Sequence, residues 1–300
     1  MAVHSRAYGL AADFALAHAF LTELYQPGNA DGQWFAPIWE YALWHPWFDA
    51  AHADANRLWF EGDQVVAMVC YELYLGEAFF AVRPGYELLF ADMLDHAEAH
   101  LGSTDDHGGR RLPVYLTDQR PERLAAVAAP GHQRRAEDDR PMCRLAMPAP
   151  FPATELRGGY RLTTLAEVNT LAELHRLLHR GFGHGDEPED DGLADRRQMQ
   201  RAPHYRHDLQ VVVVSPVGRF VAYAGMWYDP VNRFGYVEPV CTDPDHRRLG
   251  LGTAAVLEGV RRCGLLGADC AYVGSTQPFY QSMGFRYLHR QECWRRDGCV

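Results

Sequence analysis

A glycine-rich turn between a strand and a helix is the feature that most constrains the fold of this chain. The strand is expected over Gly235–Thr242, the turn over Asp243–Gly252 and the helix over about Leu251–Gly264. In the segment Arg247–Thr253, two glycines are separated by one residue, so the backbone can approach a ligand and direct its N–H groups towards it. The helix start adds the positive end of its dipole, and two arginines add charge-assisted hydrogen bonds. The turn therefore predicts a phosphate or pyrophosphate site.

The spacing of this motif excludes two common nucleotide-binding loops. The turn has no Gly-Lys-Ser/Thr sequence, which a P-loop requires. A dinucleotide fingerprint would need a third glycine and an acidic residue at the end of the next strand, and both are missing. What remains is Arg-x-x-Gly-x-Gly, formed by Arg247, Gly250 and Gly252. Downstream, the segment Gln277–Phe285 places an aromatic residue and Tyr280 shortly before a Gly-Phe pair.

Together the two motifs resemble the GNAT acetyltransferase superfamily, whose coenzyme A loop reads Gln/Arg-x-x-Gly-x-Gly/Ala and which carries an aromatic-Tyr pair before Gly-Phe. The resemblance implies an α/β (α+β) fold, with a mixed, mainly antiparallel sheet flanked by helices, and acetyl-CoA as the cosubstrate. It also implies that the strand pairs with the pantetheine arm and that the turn holds the pyrophosphate. The binding residues implied are Val240, Cys241 and Thr242 on the strand, Arg247, Arg248, Leu249, Gly250, Leu251, Gly252 and Thr253 in the turn, and Ser275 after the next strand. The family often has an asparagine near Ser275, and this sequence lacks it.

Two residues are candidates for catalysis. Tyr280 resembles the family's general acid, which protonates the sulfur of coenzyme A; the alternative is a ring buried under a short helix. Glu238 lies beside Pro239, and a proline within a strand predicts a bulge or a sheet edge. A partly buried carboxylate with a raised pKa would suit a general base at Glu238. A surface carboxylate without a catalytic role is the alternative.

The chain reads as two similar halves. Val65–Met68 matches Phe220–Tyr223, and Phe79–Pro84 matches Phe234–Pro239. The proline-rich segment Met147–Pro152 predicts a linker between them. The expected domains are a degenerate GNAT-like domain over residues 1–148 and a catalytic domain over residues 149–300.

The first half lacks both the arginine–glycine turn and the tyrosine. Pro84–Tyr86 runs directly into Glu87, and Glu87 and Asp92 would repel a phosphate at a helix start. Neither Arg123 nor Val127, the two residues that can be aligned with Tyr280, can replace its hydroxyl. We therefore expect the first half to support the second and to shape its acceptor cleft.

Apolar spacing and turn residues predict the remaining elements. The expected helices cover about residues 11–25, 34–48, 87–101, 166–182 and 194–200. The expected strands cover about residues 58–60, 64–73, 77–82, 113–117, 160–165, 210–215, 219–227 and 270–274.

Composition favours a globular enzyme. The 300 residues are 47% apolar and 23% charged, and the net charge of −10 argues against nucleic acid or an anionic membrane as the main partner. No apolar run approaches about 18 residues, and the first ten residues lack the apolar core of a signal peptide. The seven cysteines include no Cys-x-x-Cys pair, which is typical of reduced thiols. A cytoplasmic protein is expected, and the sheet edges leave monomer and homodimer both open.

Three other patterns have a structural and a functional interpretation. The aromatic segment Trp34–Phe48 favours a helix packed on a sheet, with an aromatic ligand pocket as the alternative. Cys241 is interpreted as a small core residue. A cysteine nucleophile needs a paired histidine, and no histidine stands at a spacing from Cys241 that indicates such a pair. His175 and His179 share a helix face, but no third ligand accompanies them, so no metal is expected.

The acidic segment Gly183–Gly192 is the only hint about the acceptor. Its carboxylates would attract a cationic amine, such as a polyamine, an aminoglycoside or a basic peptide, and a solvated loop is the alternative. The expected function is acetyl-CoA-dependent N-acetylation of a primary amine on a small molecule or peptide. A non-catalytic acetyl-CoA-binding regulatory protein and a longer-chain acyltransferase are the other hypotheses. The acidic residues are Asp186, Glu187, Glu189, Asp190 and Asp191.

Overall fold

The computed structural model describes residues 2–104, 109–152, 154, 156, 158–190 and 192–296. These residues form two compact units. The first unit comprises the described residues of Met1–Leu43, Trp47–Pro141 and His289–Val300, and the second comprises those of Trp44–Pro46 and Met142–Leu288. Asp191, one of the five carboxylates of the acidic segment, lies outside the described residues.

The described residues form strands and helices in a mixed order, with short 3-10 turns between some of them. The strands are β1 (Val3–Ala7), β2 (Arg57–Glu61), β3 (Gln64–Cys70), β4 (Ala78–Val82), β5 (Ser103–Thr104), β6 (Arg110–Arg111), β7 (Val114–Thr117), β8 (Gln133–Arg134), β9 (Arg140–Ala146), β10 (Arg161–Thr164), β11 (Val211–Val214), β12 (Phe220–Asp229), β13 (Phe234–Thr242), β14 (Cys270–Val273) and β15 (Arg286–Arg295). The helices are α1 (Phe14–Leu24), α2 (Ala36–Trp44), α3 (Phe90–His100), α4 (Pro121–Ala128), α5 (Leu171–Gly181), α6 (Leu193–Met199), α7 (Leu251–Leu265) and α8 (Pro278–Ser282).

Each unit contains a mixed, mainly antiparallel sheet, and the two sheets have the same strand order. In the first unit β1, β2, β3 and β4 are antiparallel neighbours, β4 pairs with β7 in parallel, and β7 pairs antiparallel with Gln291–Trp294 of β15. In the second unit β10 to β13 are antiparallel neighbours, β13 pairs with β14 in parallel, and β14 pairs antiparallel with Cys143–Ala146 of β9. The expected fold class and the repeat of element order are confirmed.

The two units exchange their last strands. β9 follows the first unit in the chain but lies in the sheet of the second, while the end of β15 lies in the sheet of the first. The compact units are therefore not continuous stretches of chain, and their bounds differ from a division at residue 148. The sequence did not predict β1, β9 or β15 as strands.

The sheet of the second unit is covered on both faces. Val211 and Val213 of β11 pack in one apolar cluster with Val256 and Val260 of α7. Val212 and Val214 pack in the other, together with leucines of α5. Because successive side chains of a strand point to opposite faces, four consecutive valines are the sequence signature of a strand buried on both sides. Each fully buried valine contributes roughly 1.5–3 kcal/mol through its apolar surface.

The aromatic segment of the first unit forms a helix packed into the core. Trp39 of α2 is buried and stacks on Phe14 at 5.3 Å between ring centroids. Trp34, which precedes α2, stacks on Phe79 of β4 at 5.3 Å and donates a hydrogen bond from Nε1 to Glu72. Both rings therefore serve packing.

Among the predicted helices, α5 begins later than expected, at Leu171 instead of Ala166. The N–H group of Ala166 donates to His207 O, and the N–H groups of Glu167 and Val168 both donate to Thr164 O. These bonds hold the residues in a turn after β10. Across the described residues, no helix has the length and apolar character needed to cross a membrane.

Candidate functional site

The second unit has a bulge in β13 where the sequence predicted one. Ala224 of β12 pairs with Val240 and Met226 pairs with Val237, so Glu238 and Pro239 together face the single residue Gly225. A Cβ atom on Gly225 would lie 2.5 Å from Glu238 O, so only glycine allows the bulged strand to come this close. A bulge bends its strand and redirects the side chains beside it.

Beyond the bulge, β13 separates from its parallel neighbour. β13 and β14 pair only through Phe234, Gly235 and Tyr236, although β13 continues to Thr242. The strand edge of β13 from Val237 to Thr242 is therefore not paired with β14. Unpaired N–H and C=O groups on a strand edge can hydrogen-bond an extended ligand chain.

The turn after β13 ends in the N-terminus of α7. Arg248 and Gly250 both adopt left-handed backbone angles, with φ of 65° and 76°, which turns the chain into the helix. α7 has no acidic residue in its first turn. Its first N–H groups have no partner within the helix, so the positive end of a 15-residue helix is open.

The glycine-rich turn is packed directly against the end of β13. A Cβ atom on Gly252 would lie 2.8 Å from Thr242 Oγ1 and 3.4 Å from the Phe279 ring. Arg247 is exposed and donates from Nε to Thr242 O and from Nη2 to Gly181 O. Arg248 and Leu249 are exposed beside it. The exposed residues Arg247, Arg248 and Leu249 thus lie next to the end of the strand, while Leu251 and Gly252 are buried at the start of α7.

Asp243 anchors this turn, and it is not among the site residues predicted from the sequence. Its carboxylate is buried and accepts hydrogen bonds from Arg176 Nη1 at 3.1 Å, Arg180 Nε at 2.9 Å and the Asp245 N–H at 3.1 Å. Burial raises the pKa of Asp243, but the hydrogen bonds from Arg180, Asp245 and Arg176 outweigh burial and bring that pKa below its usual range. An aspartate directly after a strand and before a proline is a typical cap, and this signal could have identified it.

Tyr280 lies in α8, which begins after β14 separates from β13. Its ring is 9% exposed and packs edge-on against Phe279 and Phe285. Burial raises the pKa of the Tyr280 hydroxyl, and the charges of Glu238 and Cys241 raise it further. The hydroxyl is therefore protonated at neutral pH. It makes no hydrogen bond within the described part of the chain, so its proton is available to a ligand.

Three further expected site residues are Glu238, Ser275 and Cys241. Glu238 is half-buried in the bulge, with its backbone carbonyl accepting a hydrogen bond from Trp227 Nε1 at 3.1 Å. Ser275 Oγ accepts the N–H of Gln277 at 3.2 Å and so stabilises the turn before α8. Cys241 is buried against α5, with Sγ 3.8 Å from Leu177 O, and burial raises the pKa of its thiol to about 12. A thiol with that pKa is a packing group at neutral pH, because the thiolate is the reactive form.

The acidic segment contributes some of its carboxylates to the structure itself. Asp186 accepts from Arg180 Nη1 at 2.9 Å, and Asp190 accepts the N–H of Gly192 at 2.8 Å. Glu187 and Glu189 are exposed and make no hydrogen bond or ion pair within the described residues. Among the described residues of the acidic segment, these two glutamates are the carboxylates without a partner in the protein.

Comparisons with known proteins agree with this geometry. Residues 171–285 match the model of the acetyltransferase (GNAT) family. The chain is similar in structure to a GCN5-related N-acetyltransferase from Sphaerobacter thermophilus, with 17% identity, 99% of this chain and 97% of that chain covered, and a TM-score of 0.62. A tandem GNAT protein from the clavulanic acid biosynthesis pathway has 16% identity, full coverage of both chains and a TM-score of 0.61. A GNAT-family acetyltransferase from Colwellia psychrerythraea has 10% identity, coverage of 99% and 100%, and a TM-score of 0.59. No curated protein matches the sequence significantly.

Proposed function

Residues 171–285 belong to the acetyltransferase (GNAT) family within a chain that has the tandem GNAT fold, and on this premise we propose that the protein is an acetyl-CoA-dependent N-acetyltransferase. Its single active site lies in the second unit. The observation that carries the proposal is a combination of three features. These are a separated, bulged strand, an open helix N-terminus at its end, and a protonated Tyr280 whose hydroxyl has no hydrogen-bond partner among the described residues.

The residues of the turn fit the phosphates of coenzyme A. Gly250, Leu251 and Gly252 offer backbone N–H groups at the positive end of α7, while Arg247 and Arg248 supply charge. The close packing of Gly252 on Thr242 keeps the turn next to the strand end, where Val240, Cys241 and Thr242 offer backbone groups to the pantetheine arm. Thr253, Leu249 and Ser275 complete the proposed contact set.

Acetyl-CoA supplies the acyl thioester when it is bound. The amine nitrogen attacks the thioester carbonyl carbon, and the carbon–sulfur bond breaks. Tyr280 donates its hydroxyl proton to the leaving sulfur, which suits a group whose pKa burial raises and which is still protonated when the thiolate forms. Glu238, in the bulge beside the separated strands, accepts the proton that the amine nitrogen loses, directly or through a water molecule. Positioning the two reactants accounts for the rest of the rate enhancement.

The acceptor is proposed to be a primary amine of a small molecule or peptide. Among the described carboxylates of the acidic segment, Glu187 and Glu189 have no partner in the protein, and they would attract a cationic amine. The variant with both Glu187→Gln and Glu189→Gln should raise the acceptor KM by about tenfold while leaving kcat in place, as loss of ground-state attraction predicts. Asp186→Asn is the control variant and should leave the acceptor KM unchanged, because the Asp186 carboxylate is bound to Arg180. An unchanged acceptor KM in the double variant would remove the attraction hypothesis.

The test of the proposal is thiol release from acetyl-CoA against a panel of amines that includes aminoglycosides, polyamines, amino acids and peptide N-termini. Reactions without amine control for hydrolysis, and calorimetric titration with acetyl-CoA measures binding separately. An amine-dependent release of thiol supports the transferase. Micromolar acetyl-CoA binding without turnover on any amine would favour a non-catalytic acetyl-CoA-binding regulatory protein. Absence of binding would contradict the assignment of the turn, and longer acyl-CoA thioesters in the same assay test the acyl-chain preference.

A further inference from the structure

The first unit contains a pocket at the place where its own parallel strands separate. β4 and β7 pair only through Ala78 with Val114 and Phe79 with Tyr115. Beyond these pairs lies a small pocket that opens to solvent. Phe80 of β4 and Leu116 of β7 line it. The pocket thus occupies in the first unit the topological position that the separated β13 and β14 create in the second.

Arg123 lines this pocket and is the residue of the first unit that is equivalent to Tyr280 of the second. α4 begins with Pro121-Glu122-Arg123, and α8 begins with Pro278-Phe279-Tyr280. Each helix follows the parallel strand of its unit, so the third helical residue is equivalent in both. Val127, the other residue that could be aligned with Tyr280, lies in the apolar core of the first unit. The structure therefore selects Arg123, and a tyrosine hydroxyl has been replaced by a guanidinium.

The guanidinium of Arg123 is buried without a counter-ion. Arg123 is only 7% exposed, and its Nε–H has no hydrogen-bond partner. Within the described residues no carboxylate lies in ion-pair contact with it, and its one ring contact is with Phe90 at 5.9 Å. Burial, followed by the nearby charge of Arg120, lowers the pKa of Arg123. A buried charge without a partner costs several kcal/mol in a typical protein, so this arrangement calls for an anion.

The charged neighbours of Arg123 are bound elsewhere or too distant to pair with it. Asp31 lies 3.5 Å from Arg120, and Glu87 accepts the N–H of Gly85 at 3.0 Å. Glu122, on α4 itself, is exposed. Asp31, Glu87 and Glu122 act on Arg123 only as charges at a distance. They would oppose a doubly charged phosphate more strongly than a singly charged anion.

A second polar group in the pocket complements the guanidinium. Thr117, at the end of β7, is 6% exposed and lines the same pocket. Its Oγ1 accepts the N–H of Gln119 at 3.2 Å, which leaves its own proton free to donate. The remaining wall is mixed: Trp34, Phe80 and Leu116 contribute apolar surface, and Gln33, Tyr115 and Gln291 contribute polar groups. A small pocket lined by a buried guanidinium and a hydroxyl donor, with the side chains of Trp34, Phe80 and Leu116 beside them, matches a small carboxylate.

We propose that this pocket of the first unit binds a small monocarboxylate, whose oxygens accept hydrogen bonds from the Arg123 guanidinium and the Thr117 hydroxyl. The site is separate from the acetyl-CoA site proposed for the second unit. The planar fork of a guanidinium matches the two oxygens of a carboxylate, which an ammonium group would not.

The experiment is thermal unfolding of the full chain in sodium acetate, formate, propionate or phosphate, against sodium chloride at the same ionic strength. No acetyl-CoA or amine is present, so the result does not depend on the transferase. Acetate should raise the unfolding temperature along a saturating curve, by about 3 °C at ten times its dissociation constant. Saturation-transfer NMR on the acetate methyl group measures the same binding directly.

Three variants make the experiment decisive. Arg123→Met should weaken acetate binding at least tenfold, and without carboxylate it should be as stable as the original protein, because it removes an unpaired buried charge. Arg123→Lys keeps the charge but loses the fork, and should also weaken binding. Arg120→Gln, which alters a neighbouring arginine outside the pocket, should keep the response. The proposal is overturned if acetate gives no saturating response in the original protein. It is also overturned if Arg123→Met and Arg123→Lys respond to acetate as strongly as the original protein.

Discussion

Arg180 of α5 donates from Nε to the carboxylate of Asp243 at 2.9 Å, and the same guanidinium also contacts Asp245 and Asp186. The Arg180 side chain thus links both the turn after β13 and the acidic segment to α5. Asp243 is almost fully buried and also accepts a hydrogen bond from Arg176. Because a buried ion pair with one partner removed leaves an uncompensated charge, the turn depends on all three residues.

Asp243→Asn should lower the free energy of unfolding by about 2–4 kcal/mol, since Arg176 and Arg180 would lose the buried carboxylate that they share. The matched control is Asp269→Asn, which breaks an exposed pair with Arg233 at 2.8 Å and should cost at most about 1 kcal/mol. Urea denaturation of both variants measures the difference. Equal losses would contradict the role given to Asp243.

The contribution of Asp243 should depend on pH. Its pKa in the folded protein lies below the value in the unfolded chain, which is about 3.9. The stability that it contributes is therefore fully present above about pH 4 and is lost as the pH falls through the folded pKa. Denaturation curves between pH 7 and pH 2 should show the gap between the original protein and Asp243→Asn closing at acidic pH. A gap that stays constant down to pH 2 would exclude this linkage.

Gly250 and Gly252 should respond differently to a methyl group. Gly250→Ala forces alanine into a left-handed conformation with open space around it, so it should cost about 1–2 kcal/mol of stability. Gly252→Ala creates no such strain in a helix, but its Cβ would lie 2.8 Å from Thr242 Oγ1 and would push the turn from the strand. It should weaken acetyl-CoA binding by about tenfold or more, a loss of about 1.4 kcal/mol. Calorimetric titration and urea denaturation of both variants separate the two effects.

Arg248 should contribute charge to acetyl-CoA binding. Arg248→Asn removes the charge while keeping a residue that tolerates the left-handed conformation at this position. The dissociation constant of acetyl-CoA should rise by about tenfold, within the range of a charge-assisted hydrogen bond, and should depend less on salt. Arg161→Asn, at the exposed first residue of β10, controls for net charge. An unchanged salt dependence would argue against contact between Arg248 and the phosphates.

Tyr280→Phe should lower kcat by about 10²-fold or more while leaving acetyl-CoA affinity unchanged, as loss of a general acid predicts. The substitution keeps the ring that packs on Phe279 and Phe285. Tyr228→Phe is the control, because its hydroxyl bonds Leu266 O at 2.8 Å near the end of α7. Steady-state kinetics with the amine identified in the panel measures kcat for both variants. An unaffected kcat in Tyr280→Phe would exclude Tyr280 as the proton donor.

Cys241 should be inert in the folded protein. Its thiol is buried and its pKa is raised to about 12, so almost no thiolate exists at pH 8. Alkylation by iodoacetamide, mapped by mass spectrometry, should modify Cys241 at least a hundredfold more slowly than in the urea-unfolded chain. Comparable rates in the two states would mean that the thiol is accessible and would reopen the nucleophile hypothesis.

Most of the proposed site could be predicted because its residues are close in the chain. The strand, bulge, turn and helix from Phe234 to Leu265 follow from a strand-forming run, a proline, two glycines and a helix-forming run. Local backbone preferences decide such elements, so the sequence is sufficient. The start of α5 was misplaced because the N–H groups of residues 166–168 find partners in β10 and near β11 instead of in a helix.

The sequence by itself determined the identity of the turn, the bulged strand, the position of Tyr280 and the repeat of two similar halves. Only the tertiary structure decided that the units exchange their last strands, that Arg176 and Arg180 converge on Asp243, and that Arg123 takes the place of Tyr280 in the first unit. Each of these depends on pairing or burial between residues distant in the chain. Such contacts are selected by the packing of the whole unit, and no local pattern of residues encodes them.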